Sequence, residues 1–160
     1  MKKIKRIAVI LFLVFLCGCG SDSAKETVSM YDLCATMEAA DSSLPEMLYV
    51  SSENDTADKL LGHVSDMDYD KVDCFFVSYS KEAKADEIVV IAVKDKADVN
   101  EAKQSLEEHR QSRIQLLDQY EPEEVRRLED GLIFTKDQYA VLIICEDPDS
   151  VRKAFEDAVE

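Results

Sequence analysis

The chain holds 160 residues, with 34 acidic side chains against 19 basic ones and a formal net charge of −15 at pH 7. So negative a surface is a poor match for nucleic acid or anionic lipid headgroups, both of which need a basic face. Its first role is to keep the protein dispersed, and 46% hydrophobic residues suffice for one domain with a real core.

The chain opens on Lys2, Lys3, Lys5 and Arg6, runs Ile7 to Leu16 without a charge, and turns small at Gly18, Gly20 and Ser21. This is the three-part pattern of a secretory signal peptide, assigned to residues 1–18. An apolar run of about ten residues is too short for a hydrocarbon core of ~30 Å, which needs about 20. The boundary Leu16-Cys17-Gly18-Cys19 resembles the lipobox of bacterial lipoproteins. That resemblance implies that Cys19 carries a diacylglycerol thioether and becomes the mature N-terminus. Cys17 fits less well, because bulky Leu16 precedes it. Two acyl chains give stable anchoring, so the expected location is the extracytoplasmic face of a cell membrane, in a Gram-positive bacterium. Residues 19–28 form the lipidated terminus and a polar tether, and 29–160 a single domain. All four charges of the signal are basic, so the mature chain keeps 15 basic residues against 34 acidic, a net of −19.

Ser29 and Asp32 stand in capping-box spacing, and Met30, Leu33, Cys34 and Met37 share one helical face, which predicts a first helix over 29–40. Leu44 to Val50 reads as a short extended segment. Asn54 to Gly62 gives two helical turns, with Asp55 as N-cap and Gly62 as stop. CFFVSYS (74–80) and EIVVIAV (87–93) form a hairpin around a charged link. Asp98 and Glu101 make a second capping box for a long helix over 98–118. Pro122 opens a short helix that Gly131 helps to end. Residues 132–136 and 139–145 flank Asp137-Gln138 as a tighter hairpin, and Asp147-Pro148 starts a last helix with a stripe of Val151, Ala154, Phe155 and Ala158.

IVVIAVKDKADVNEA (88–102) lies over AVLIICEDPDSVRKA (140–154) without a gap. Each reads strand, acidic cap, helix. The expected architecture is therefore α+β, an antiparallel or mixed sheet from two β-β-α units (β-β-α-β-β-α) preceded by a short helical segment. The second and fourth strands are apolar on both faces, so they should be central, with helices on at least one side.

No catalytic constellation is legible, and no cofactor is expected. Asp66, Asp68 and Asp70 begin like a calcium loop, but Lys71 stands where Gly is required and Val77 where a bidentate Glu is required. They remain weak metal candidates beside the plainer role of a solvated turn. His109 and Arg113 fall on the apolar stripe of the long helix, either as a general base near a pocket or as the stripe widening toward an exposed end. His63 follows a helix stop and is expected to be exposed. Tyr69, Tyr120, Arg126 and Arg127 are the first candidates for a binding surface. Cys34, Cys74 and Cys145 read as small buried hydrophobes. A bridge from Cys74 to Cys145 stays open, and the odd count leaves at least one thiol unpaired.

CFFVSYSKEAKADEIVVIAVKD, YEPEEVRRLEDGLIF and YAVLIICEDPDSVRKAF together resemble the domain of unknown function family DUF4358, found in lipoproteins of Firmicutes. The similarity runs over roughly residues 29 to 158. The resemblance implies no catalytic residues, since the family's function is unassigned. Asp130-Gly131 departs from the Asn-Ala or similar pair expected there. Three roles follow for such a domain. The first is a non-enzymatic binding or accessory module meeting a protein or small molecule at the membrane. The second is a small hydrolase-like enzyme using His109 and a carboxylate. The third is a structural envelope protein that self-associates.

Overall fold

A computed structural model describes residues 28–160. The signal peptide, Cys19 and nearly all of the tether lie outside the described residues. Ten elements follow in order: α1 (Met30–Ala39), β1 (Met47–Ser51), α2 (Ala57–Leu61), β2 (Val72–Ser80), β3 (Glu87–Val93), α3 (Val99–Tyr120), α4 (Pro122–Asp130), β4 (Leu132–Lys136), β5 (Tyr139–Ile144) and α5 (Pro148–Ala158). No helix among the described residues is long and apolar enough to cross a membrane.

The class is α+β, as the patterning implies, built on one five-stranded antiparallel sheet in the order β1-β2-β3-β5-β4. Both hairpins form, and β3 and β5 meet at the centre with Val89 opposite Leu142. The fifth strand is β1, from the segment read only as extended. It pairs along β2 from Met47 opposite Ser80 to Ser51 opposite Phe76.

Helices cover both faces. Along β3 every residue is buried, and the side chains alternate between two cores. Val89, Ile91 and Val93 join Leu61, Phe75, Leu106 and Leu128 beneath α2, α3 and α4. Ile88, Val90 and Ala92 join Leu33, Met37, Val151 and Phe155 beneath α1 and α5. Burial on both faces is why the central strands carry no polar alternation. Each large side chain so buried contributes ~1.5–3 kcal/mol.

The two aligned segments keep their internal rule but not a common face. Ile91 and Val99 face the α3 side, whereas the aligned Ile143 and Val151 face the α5 side. The repeat is thus a repeated strand–cap–helix grammar rather than a symmetry of the sheet.

Several caps differ from expectation. Ser29 accepts from the Asp32 amide as foreseen. At α2 the N-cap is Thr56 rather than Asp55, with no side-chain cap bond. At α3 the Asp98 side chain makes no cap bond, because Asp98 ends a 3-10 turn with helical backbone angles; Asp95 accepts from the Ala97 amide instead, and Lys71 Nζ pairs with Asp98 (3.3 Å) and Glu101 (2.6 Å). Gly131 ends α4 at an ordinary φ of −63°. Glycine is needed there for close approach: an added Cβ would stand 3.0 Å from the Ile143 carbonyl oxygen and 3.0 Å from the Ile144 side chain. Cys34, Cys74 and Cys145 are all free thiols, so the open Cys74–Cys145 bridge is not formed.

Candidate functional site

The sheet is unevenly roofed on its α2–α4 face. The stripe of α3 starts with Val99, Ala102 and Leu106, which pack into the core, mainly over β3, β5 and β4. Over β1 and β2 the described residues place the five-residue α2 and the segment after it, with Val64, Met67 and Tyr69, and no long helix. The same stripe continues as His109, Arg113 and Leu117, which overhang a cleft instead of a strand. The stripe therefore does not widen toward solvent: the side chains of His109 and Arg113 are only 14% and 21% exposed.

The cleft encloses about 590 Å³, floored by Val50, Val77 and Tyr79 and walled by α3 on one side and Leu60 and Val64 on the other. That volume lies in the ~300–1,000 Å³ range of small-molecule sites, and so does the mostly apolar lining with a few convergent polar groups. His63 also lines it, and is exposed as expected.

The polar groups cluster where the β2–β3 loop closes one end. Glu87, the first residue of β3, has a side chain only 6% exposed. Its Oε2 accepts from His109 Nε2 at 2.8 Å and from Arg113 at 2.9 Å. Arg113 also donates to the carbonyls of Ala85 (3.1 Å) and Lys84 (3.3 Å). Burial alone would push the Glu87 carboxyl up; the bonds and charges of His109 and Arg113 outweigh it and hold the group below the usual Glu value. An ionised Glu87 can only accept, so the proton shared with His109 sits on Nε2.

From the other side, Glu124 accepts from the Ala85 amide at 2.9 Å, and Arg127 grips both Asp86 oxygens at 2.9 and 3.1 Å. The loop is thus pinned by α3 and α4 together. Within it Ala83 takes φ 58°, a left-handed conformation that costs an L-residue ~1–2 kcal/mol. Replacing Ala83 with Gly should therefore raise stability by ~0.5–1 kcal/mol after glycine's own entropy is charged. A urea unfolding midpoint that falls instead would show the loop relaxed at this position.

The other candidate residues lie elsewhere. Tyr69 stands on a single 3-10 turn and packs edge-on against Phe75. Arg126 is exposed and pairs with Asp130 along α4. Arg127 is spent on Asp86 and Glu146, and Tyr120 closes α3. Asp68 caps the 3-10 turn through the Asp70 amide, and the Asp70 carbonyl accepts from Lys94. Among the described residues no group of three or more His, Cys, Asp or Glu is placed to hold a metal ion.

Nucleophilic chemistry finds little support among the described residues. The His109 ring hydrogen-bonds Glu87 and, among the described residues, no serine, threonine or cysteine side chain. The Cys74 thiol is pushed up to about 11 by burial and then by Asp73. Cys145 is pushed up to about 12, by burial and then Asp41, and Cys34 is raised as well. Such thiols stay protonated at neutral pH and are poor nucleophiles. Sequence reasoning flagged His109 and Arg113 but missed their partner Glu87, whose only signal was an acidic residue opening a wholly apolar strand.

A family model described as "Domain of unknown function (DUF4358)" matches residues 47–145. That stretch is shorter than the 29 to 158 suggested by resemblance. It runs from β1 past β5 and includes the whole sheet and every residue lining the cleft, while α1 and α5 fall outside it. No curated protein and no solved structure matches the chain.

Proposed function

Since the chain belongs to the family described as a domain of unknown function (DUF4358), we propose a role from its own residues: a lipid-anchored, extracytoplasmic module that binds a small molecule in the cleft. The observation that carries it is the cleft itself, an apolar space of about 590 Å³ with one polar end, left where α3 outruns the strands it covers. Anchoring rests on Cys19 and the signal-like leader.

A panel of metabolites, sugars, peptides and lipids would be screened by melting temperature. A ligand at a hundred times its Kd adds ~2.7 kcal/mol, a shift of roughly 5 to 15 °C for a domain of this size. A panel with no shift would remove the small-molecule role and leave a protein partner. For the anchor, Cys19→Ser should abolish labelling by a palmitate analogue and release the protein from membranes; retention of either would refute it.

A second role, hydrolase-like, has one observation behind it: the 2.8 Å bond between His109 and Glu87. There His109 would serve as a general base toward water, and His109→Ala would abolish turnover while leaving the melting transition cooperative. Turnover unchanged in that variant would eliminate it.

A further inference from the structure

We infer that the open edge of β1 pairs with β1 of a second copy of this chain, antiparallel about a dyad at Leu48. The two sheets then run on as one, whether or not the cleft holds a ligand.

The backbone fixes which groups are open. The Lys81 amide donates to the Glu46 carbonyl and the Ser52 amide to the Phe75 carbonyl, while Leu48 stands opposite Tyr79 and Val50 opposite Val77. An antiparallel ladder so phased turns the amides and carbonyls of Met47, Tyr49 and Ser51 outward. Ser51 is already closed: its amide donates to Asn54 Oδ1 at 2.8 Å, and its carbonyl accepts from the Asn54 amide at 3.1 Å. At the other end the chain bends at Glu46, and Pro45 beyond it has no amide to offer. Only Met47 and Tyr49 keep outward groups with no partner among the described residues.

That short window selects its occupant. An extended peptide from another protein would run past the window into a closed position at either end. A second copy brings a window of the same length, and a dyad at Leu48 lets Met47 exchange both its bonds with the partner's Tyr49, and Tyr49 with the partner's Met47. A dyad at Tyr49 would instead set Met47 against the closed Ser51.

The side chains agree with this register. Leu48 and its cross-strand neighbour Tyr79 are each 38% exposed, and pairing sets Leu48 against the partner's Leu48 with a tyrosine on either side. On the other face Tyr31, 64% exposed, packs edge-on against Tyr49 at 5.6 Å. Pairing brings the partner's Met47 beside that aromatic pair, a favourable sulfur contact. Between its closed ends β1 reads MLYVS, with none of the charges that guard an exposed edge. A chain of net charge −15 therefore meets its copy here with little local repulsion. The opposite edge, β4, ends on Lys136, whose Nζ donates to the Glu156 carbonyl at 2.9 Å.

The experiment places Leu48→Cys in the full chain and treats intact cells with the thiol oxidant diamide. A dyad at Leu48 sets the two Cα atoms ~4.5 Å apart, the spacing of a non-hydrogen-bonded antiparallel pair and within reach of a disulfide. A dimer band on a non-reducing gel, removed by reductant, is expected. Val50→Cys shares that face but would lie across from the partner's Glu46, so it should give no such band, and neither should the wild type with its native thiols. Met47→Pro, added to Leu48→Cys, deletes an outward amide at the first residue of the strand, where proline is tolerated. It should abolish the band while melting stays cooperative. Sedimentation of the purified full chain gives a separate reading: the wild type should dimerise as concentration rises, and Leu48→Lys should not. No band at Leu48→Cys, an equal band at Val50→Cys, a band that survives Met47→Pro, or sedimentation indifferent to Leu48→Lys would each overturn the inference.

Discussion

Replacing Glu87 with Gln should cost the fold ~2–4 kcal/mol, read as a drop in the urea unfolding midpoint at unchanged slope. Glutamine keeps the shape and one acceptor oxygen, so the loss is chiefly of charge. Arg113 then holds a guanidinium 21% exposed with no counter-charge at 2.9 Å. Removing one member of a fully buried ion pair costs ~3–5 kcal/mol, and the solvent that reaches Arg113 brings the figure down. Adding Arg113→Met to Glu87→Gln should recover part of the loss, because the stranded charge goes with it. The cost should also depend on pH. The folded Glu87 carboxyl lies below its ordinary value, so its contribution is complete above the usual carboxylate range and is lost on acidification below it. The gap between wild type and Glu87→Gln should therefore close in acid. A cost below ~0.5 kcal/mol, the size of an ordinary surface change, or a gap indifferent to pH, would show that Glu87 carries no charge in the native state.

This site shows what a sequence does and does not disclose. Local signals were enough for β2, β3, β5, α3 and α5, because apolar period and caps act within one element. They were enough to put His109 and Arg113 on the inward stripe. They did not show that the stripe outruns its sheet, because that depends on the order β1-β2-β3-β5-β4 and on how little of β1 and β2 a five-residue α2 covers. The edge strand β1 was underread for a related reason: its Met47–Ser51 run is only half-buried, so its pairing to β2 rather than its pattern makes it a strand. The Asp98–Glu101 box failed because a 3-10 turn capped by Asp95 precedes α3 and gives Asp98 helical backbone angles. The internal repeat predicted strand–cap–helix correctly and said nothing about which face each unit takes.

Asp41 is the case furthest from sequence legibility, and Asp41→Asn should destabilise the protein by ~2 kcal/mol. It follows α1, is 5% exposed, and spends both oxygens: Oδ1 accepts from the Ser43 amide (2.9 Å) and hydroxyl (2.6 Å), and Oδ2 from the Asp147 amide at 3.0 Å. Asp147 is the N-cap of α5, so one carboxylate joins the ends of the two helices that roof the second face. Burial alone would raise the group, but these donors, the Ser43 hydroxyl foremost, bring it down from 3.8 to about 2. That difference corresponds to about 2 kcal/mol. It is fully present above the unfolded value and lost as the pH falls through about 2. Asparagine has a single acceptor oxygen, so either the Ser43 pair or the Asp147 amide faces an N–H group. The stability of Asp41→Asn should accordingly lose the acid dependence in that window. Cys145 supplies a second readout, because its thiol is held up by burial first and then by Asp41. Removing the negative charge should let Cys145 ionise at lower pH, visible in the pH profile of alkylation. A Cys145 profile unchanged in Asp41→Asn would mean that the carboxylate does not face the thiol, and with it the helix-joining role of Asp41 would fall.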